Sequence, residues 1–100
     1  MATVDSVQRR LWARAQLRAA DFGFAPGCEN DVKNLTTNAA NTLANEGYLS
    51  DPERLNIAEQ NIERFIKEVI DEARRKGYDQ LHEDTFAFAR ARLCPLWPLC

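Results

Sequence analysis

The feature that most constrains the fold is the stretch 51–76. Leu55, Ala58, Ile62, Phe65, Ile66, Val69 and Ala73 recur there at three- and four-residue spacing. That period builds one continuous apolar stripe along a helix and is incompatible with a strand. Ser50, Pro52 and Glu53 form a capping-box start, with Ser50 as the expected N-cap. Arg74, Arg75 and Lys76 then Gly77 form a basic last turn and a C′ glycine. Glu59, Glu63, Arg64, Lys67, Asp71 and Arg75 are assigned to the solvent face. There Glu63–Lys67 and Asp71–Arg75 are expected as i,i+4 pairs. Such a helix is roughly 39 Å long, so it either protrudes or is covered by a second subunit.

The remaining chain also reads as helix. Fourteen Ala and ten Leu stand against four Val, four Ile and five Thr, too few β-branched residues for a sheet-dominated fold. A first helix over 3–21 places Val4, Val7, Leu11, Ala15 and Phe22 on one side, with Thr3 or Asp5 as cap. Gly23, Pro26 and Gly27 break the chain into a loop. A helix over 30–46 turns Val32, Leu35, Thr36, Ala39 and Leu43 inward and Asn34, Asn38, Asn41 and Asn45 outward, ending at Gly47. A fourth segment, 82–93, alternates with period two over Phe86–Arg92, but its three Ala favour helix. One hundred residues make one domain. The expectation is an all-α, compact four-helix bundle-like domain over residues 1–100, organised around 51–76. A Pro- and Cys-bracketed tail, 94–100, ends it.

Composition narrows the function classes. Apolar residues make 45% and charged residues 28%, the balance of an ordinary globular protein. No apolar run approaches a membrane span, and no secretory signal is visible at the N-terminus, so the cytoplasm is the expected compartment. The net charge is −2, yet residues 1–20 carry four Arg and one Asp. Nucleic-acid binding would rest on this helix alone, through Arg9, Arg10, Arg14 and Arg18. A helix-turn-helix over 68–93 fails because its second helix opens on Glu83 and Asp84, which repel phosphates. Asn34-Leu35-Thr36 matches a glycosylation sequon only by pattern. Phosphate loops, nucleophile elbows and His-Glu-x-x-His motifs are missing, which points away from an enzyme.

The residues singled out for function fall in two groups. In the first helix, Arg18 falls inside the apolar stripe and Arg14 flanks it. A charge placed there needs a partner: an acid of the long helix, a bound anion, or a carboxylate across an interface. Trp12, near Ala19, either widens the buried face or anchors an interface. In the tail, Leu96, Trp97 and Leu99 are expected to fold back into a groove, with the thiols reduced and idle. Three chemical readings compete with that one. Cys94 and Cys100 could close a disulfide loop. They could join Cys28 and His82 in a zinc site. Cys94-Pro95 also resembles the two-residue Cys-Pro haem-regulatory motif. His82, beside Glu83 and Asp84, reads most simply as an exposed first turn. The overall expectation is a non-enzymatic interaction or regulatory protein, assembled as a homodimer with no resident cofactor. The alternative is a thiol-based redox sensor or a metal- or haem-binding protein.

Overall fold

The computed structural model describes residues 2–20, 22–25 and 27–100. Four helices follow in order: α1 (Val4–Arg18), α2 (Cys28–Asn45), α3 (Pro52–Arg75) and α4 (Glu83–Arg90). The all-α, four-helix bundle-like expectation therefore holds. α1 packs against both α2 and α3, and α4 packs against the other flank of α3. No strand forms among the described residues; a single parallel bridge ties Phe24 to Leu81. Ala25 N–H donates to Leu81 O at 2.9 Å and Leu81 N–H to Gly23 O at 3.1 Å, joining the α1–α2 and α3–α4 loops.

Helix ends differ from expectation for identifiable reasons. The N-cap of α3 is Asp51, not Ser50: its carboxylate accepts from Glu53 N at 3.1 Å and Arg54 N at 3.2 Å. That shift puts Pro52 at N1, where its missing N–H costs nothing, and brings a negative charge to the dipole's positive end. α2 starts at Cys28, two residues early, after Gly27 at φ 93°. α1 ends at Arg18 and α4 at Arg90, each three residues short of expectation. α2 and α3 close in the same way. Tyr48 N–H reaches Leu43 O at 2.8 Å, and Tyr78 N–H reaches Ala73 O at 2.9 Å. Both turns need the left-handed residue that Gly47 (φ 79°) and Gly77 (φ 78°) provide.

Every residue of the α3 stripe is buried. At 24 residues the helix is about 36 Å long. The molecule's longest axis is 42 Å, and buried positions run from Leu55 to Ala73. The chain thus covers its own long helix without a second subunit. On α1 the stripe is Val7, Leu11, Ala15 and then Ala19, so Arg18 stands outside it and is exposed. Phe65 joins the two sides of the core. Its ring meets Phe86 of α4 edge-on at 5.4 Å and Trp97 of the tail at 5.7 Å.

Three polar residues of α3 are also buried: Glu59, Asn61 and Glu72. Its wheel position puts Glu59 on the solvent face. It sits one turn after Leu55, where α1 lies across it, so the apolar face is wider than the stripe. The anticipated i,i+4 pairs do not form. Glu63 turns to Arg14 at 2.9 Å, Lys67 to Asp71 at 3.9 Å, and Arg75 to Glu72.

Candidate functional site

The tail is the most unusual local structure. Cys94 and Cys100 are joined in a disulfide, which corrects the expectation of reduced, idle thiols. The bond closes a seven-residue loop (94–100), an entropic constraint of about 2–2.5 kcal/mol on the unfolded chain. Two contacts dock the loop on α3. The Trp97 ring lies against Phe65, and the Asn61 side-chain amide donates to the Pro98 carbonyl. Asn61 Oδ1 in turn accepts from Arg64 at 3.3 Å. Pro98 is the fully buried residue of the loop; Trp97 and Leu99 are half-buried and packed on the core. Leu96 departs from the expected groove filling and stays 54% exposed. The bracketing residues decide this: docking Trp97 and Pro98 inward turns Leu96 outward at the loop's tip.

A cleft of about 270 Å³ lies between the loop and α3, lined by Asn61, Arg64, Glu68, Arg92, Trp97 and the disulfide among others. It holds one carboxylate and two guanidiniums but no histidine, serine or free thiol. Neither a nucleophile with its base nor a metal ligand set is assembled there. Sequence reasoning found Trp97, Leu99 and the cysteines. It missed Asn61, because an amide beside an apolar stripe carries no signal until the carbonyl it satisfies is in place.

The proposed four-ligand zinc set does not come together. Cys94 and Cys100 are bonded to each other, so neither offers a thiolate to zinc or haem iron in this state. Cys28 is buried in the core. Burial pushes its thiol up to about 11, with Asp31 and Glu83 adding to the rise. A buried neutral thiol is neither a ligand nor a nucleophile. His82 is the N-cap of α4, its N–H donating to Thr85 Oγ1 at 3.2 Å and its ring 4.4 Å from that of Tyr78. Beside it, hydrogen bonds from Lys76 and then Tyr78 hold the Asp84 carboxyl below its usual range. No group of three or more His, Cys, Asp or Glu gathers as a metal site among the described residues. A thiol titration checks this assignment. Native protein is expected to show no reactive thiol at pH 8, denatured protein one, and reduced denatured protein three. A reactive thiol in the native state would move Cys28 out of the core or open the disulfide.

In the first helix, the acid partner belongs to Arg14, not Arg18. Arg14 Nε and Nη2 both reach Glu59 Oε2 at 3.0 Å, and Nη1 reaches Glu63 at 2.9 Å. The Glu59 hydrogen bond, then the charges of Glu59 and Glu63, hold the Arg14 proton more firmly than usual. Arg10 lies against Glu59 Oε1 as an ion pair, although that oxygen accepts no hydrogen bond of normal geometry. Two of the four arginines on which nucleic-acid binding rested are thereby neutralised within the chain. Trp12 stacks on Phe24 at 5.8 Å and carries the Lys33 ammonium over its ring at 5.3 Å. It is partly buried and packs against the edge of the core. Arg18 forms no ion pair with any described residue.

No helix is long and apolar enough to cross a membrane among the described residues. Compared with protein-family models, curated proteins and solved structures, the chain matches none.

Proposed function

We propose that this chain is a non-enzymatic protein-interaction module that presents Leu96 to a partner polypeptide. The observation that carries the reading is the exposed Leu96 at the tip of a loop fixed on both sides, by the disulfide and by the Trp97–Pro98 dock. A large apolar residue on a rigid support loses little entropy on binding, which is how interface anchors gain affinity. Leu17 and Phe88 are the other large exposed apolar residues among those described, at 69% and 45%. A homodimer is the simplest assembly that would cover such positions, and we retain it as the proposed state. The absence of a nucleophile, base or ligand set in the tail cleft supports a binding role over a catalytic one.

The disulfide favours a second reading, a thiol switch. Cys100 is exposed and Cys94 half-buried, so a dithiol reductant can reach the bond. Structural disulfides persist in oxidising compartments and are transient in a reducing cytoplasm. A cytoplasmic home therefore goes with a switch, and an oxidising one with a permanent brace.

A photo-cross-linking residue at position 96, in living cells, tests the proposal. The expected result is one discrete adduct, absent when the same residue replaces exposed Asn34. An adduct of twice the chain's mass identifies a homodimer. Equal labelling from 96 and 34 would sink the interaction reading. An adduct unchanged when both cysteines are Ser would remove the switch and leave the module.

A further inference from the structure

Away from the tail, α1, α3 and the loop between α1 and α2 enclose a recess of about 180 Å³, lined by Arg18, Phe22, Lys67, Ile70, Asp71 and Arg74. Lys67, Ile70, Asp71 and Arg74 recur at i, i+3, i+4 and i+7, one face of α3. Three cations therefore meet one carboxylate, a net +2, in a chain whose total charge is −2. Asp21, next to Phe22 in sequence, lies outside the described residues. Asp71 is engaged by Lys67 at 3.9 Å. Neither Arg18 nor Arg74 meets an acid among the described residues. Arg18 and Arg74 each stand in a last helical turn, where the dipole favours a cation. That explains each one singly. It does not explain their convergence, with Lys67, on one recess, where like charges repel. Arg74 is also placed: its guanidinium lies over the Phe22 ring at 5.6 Å, a cation–π contact that does not consume its N–H donors.

We infer that this recess binds a phosphate monoester with a small apolar body. Arginine forks match phosphate oxygens in bidentate geometry, and Lys67 adds a point charge. A phosphate monoester carries between one and two negative charges near neutral pH, matching the excess in the recess. Phe22 and Ile70 supply an apolar wall for the organic part, which inorganic phosphate lacks. This site shares no residue with the tail, so its fate is independent of the interaction reading.

Nuclear magnetic resonance titration with phenyl phosphate, at fixed low ionic strength, tests the site. The expected result is saturable shifts confined to the residues around Arg18, Phe22, Lys67 and Arg74. Phenyl phosphate is expected to bind more tightly than inorganic phosphate. Arg74→Gln is expected to weaken binding about tenfold or more, the loss of one charge-assisted pair, and Arg18→Gln to act in the same direction. Arg54→Gln, on the distant start of α3, is expected to leave binding unchanged. Both test arginines are exposed, so the variants keep the fold. No saturation by about 10 mM, the weak limit of specific binding, would overturn the proposal. So would an Arg74→Gln titration identical to wild type, or shifts spread equally over Arg9, Arg90 and Arg92.

Discussion

Phe65→Ala is expected to cost about 3–5 kcal/mol, the range for truncating a buried phenylalanine. Phe65 is 2% exposed, and its ring touches both Phe86 of α4 and Trp97 of the tail. Its removal opens a cavity that two aromatic neighbours line and neither can fill, because Phe86 is held in α4 and Trp97 in the closed loop. In a domain of this size each kilocalorie moves the thermal midpoint by roughly 4–8 °C, so the variant should melt far below wild type. Gln60→Ala, on the exposed face of the same helix, is expected within about half a kcal/mol of wild type. Urea melts of the two variants check this. Equal losses would mean that the aromatic junction is not the core's centre. In a Trp12→Phe background, where Trp97 is the one tryptophan left, fluorescence adds an independent reading: it should change with Phe65→Ala and stay constant with Gln60→Ala.

The second large effect is expected from the double change Arg10→Ala, Arg14→Ala. The Glu59 side chain is 4% exposed and has these two guanidiniums as its cations. Stranding a buried carboxylate typically costs about 3–5 kcal/mol. Both arginines are themselves half-exposed, at 52% and 43%. Water can therefore reach the carboxylate once they are gone, which moves the expected loss toward the lower end of that range. The reverse change is milder. Glu59→Leu leaves two guanidiniums at the surface, where water solvates them. The ordering is the prediction: losing both arginines destabilises more than losing the one glutamate. A larger loss from Glu59→Leu would show that the carboxylate acts by packing rather than by charge. Glu63, paired with Arg14, also does more than its wheel position suggested.

What the sequence determined by itself is the set of local patterns. The stripe from Leu55 to Ala73, the inward row Val32–Leu43, the outward asparagines and the Gly47 and Gly77 stops all depend on helical period and glycine chemistry. These are properties of neighbouring residues, and the structure reproduces them. Helix ends were legible to within about three residues; at the start of α3, Ser50 and Asp51 compete for one cap and the placement of Pro52 at N1 separates them.

Only tertiary structure decided the rest. Glu59 reads as solvent-facing until α1 lies across it, and the helical wheel assigns the need for a partner to Arg18 until the crossing of α1 and α3 gives the carboxylates to Arg14 and leaves Arg18 at the surface. Asn61 has no visible role until the Pro98 carbonyl, thirty-seven residues away, needs a donor. The sequence leaves both the disulfide and the zinc set open for Cys94 and Cys100, although the paired Cys-x2-Cys spacing of strong zinc sites is missing. Docking of Trp97 and Pro98 on α3 folds the seven residues into a loop that brings the two sulfurs together, while the same core buries Cys28 out of reach. Each of these choices depends on residues far apart in sequence, and a charge or a thiol takes its role from what the fold places beside it.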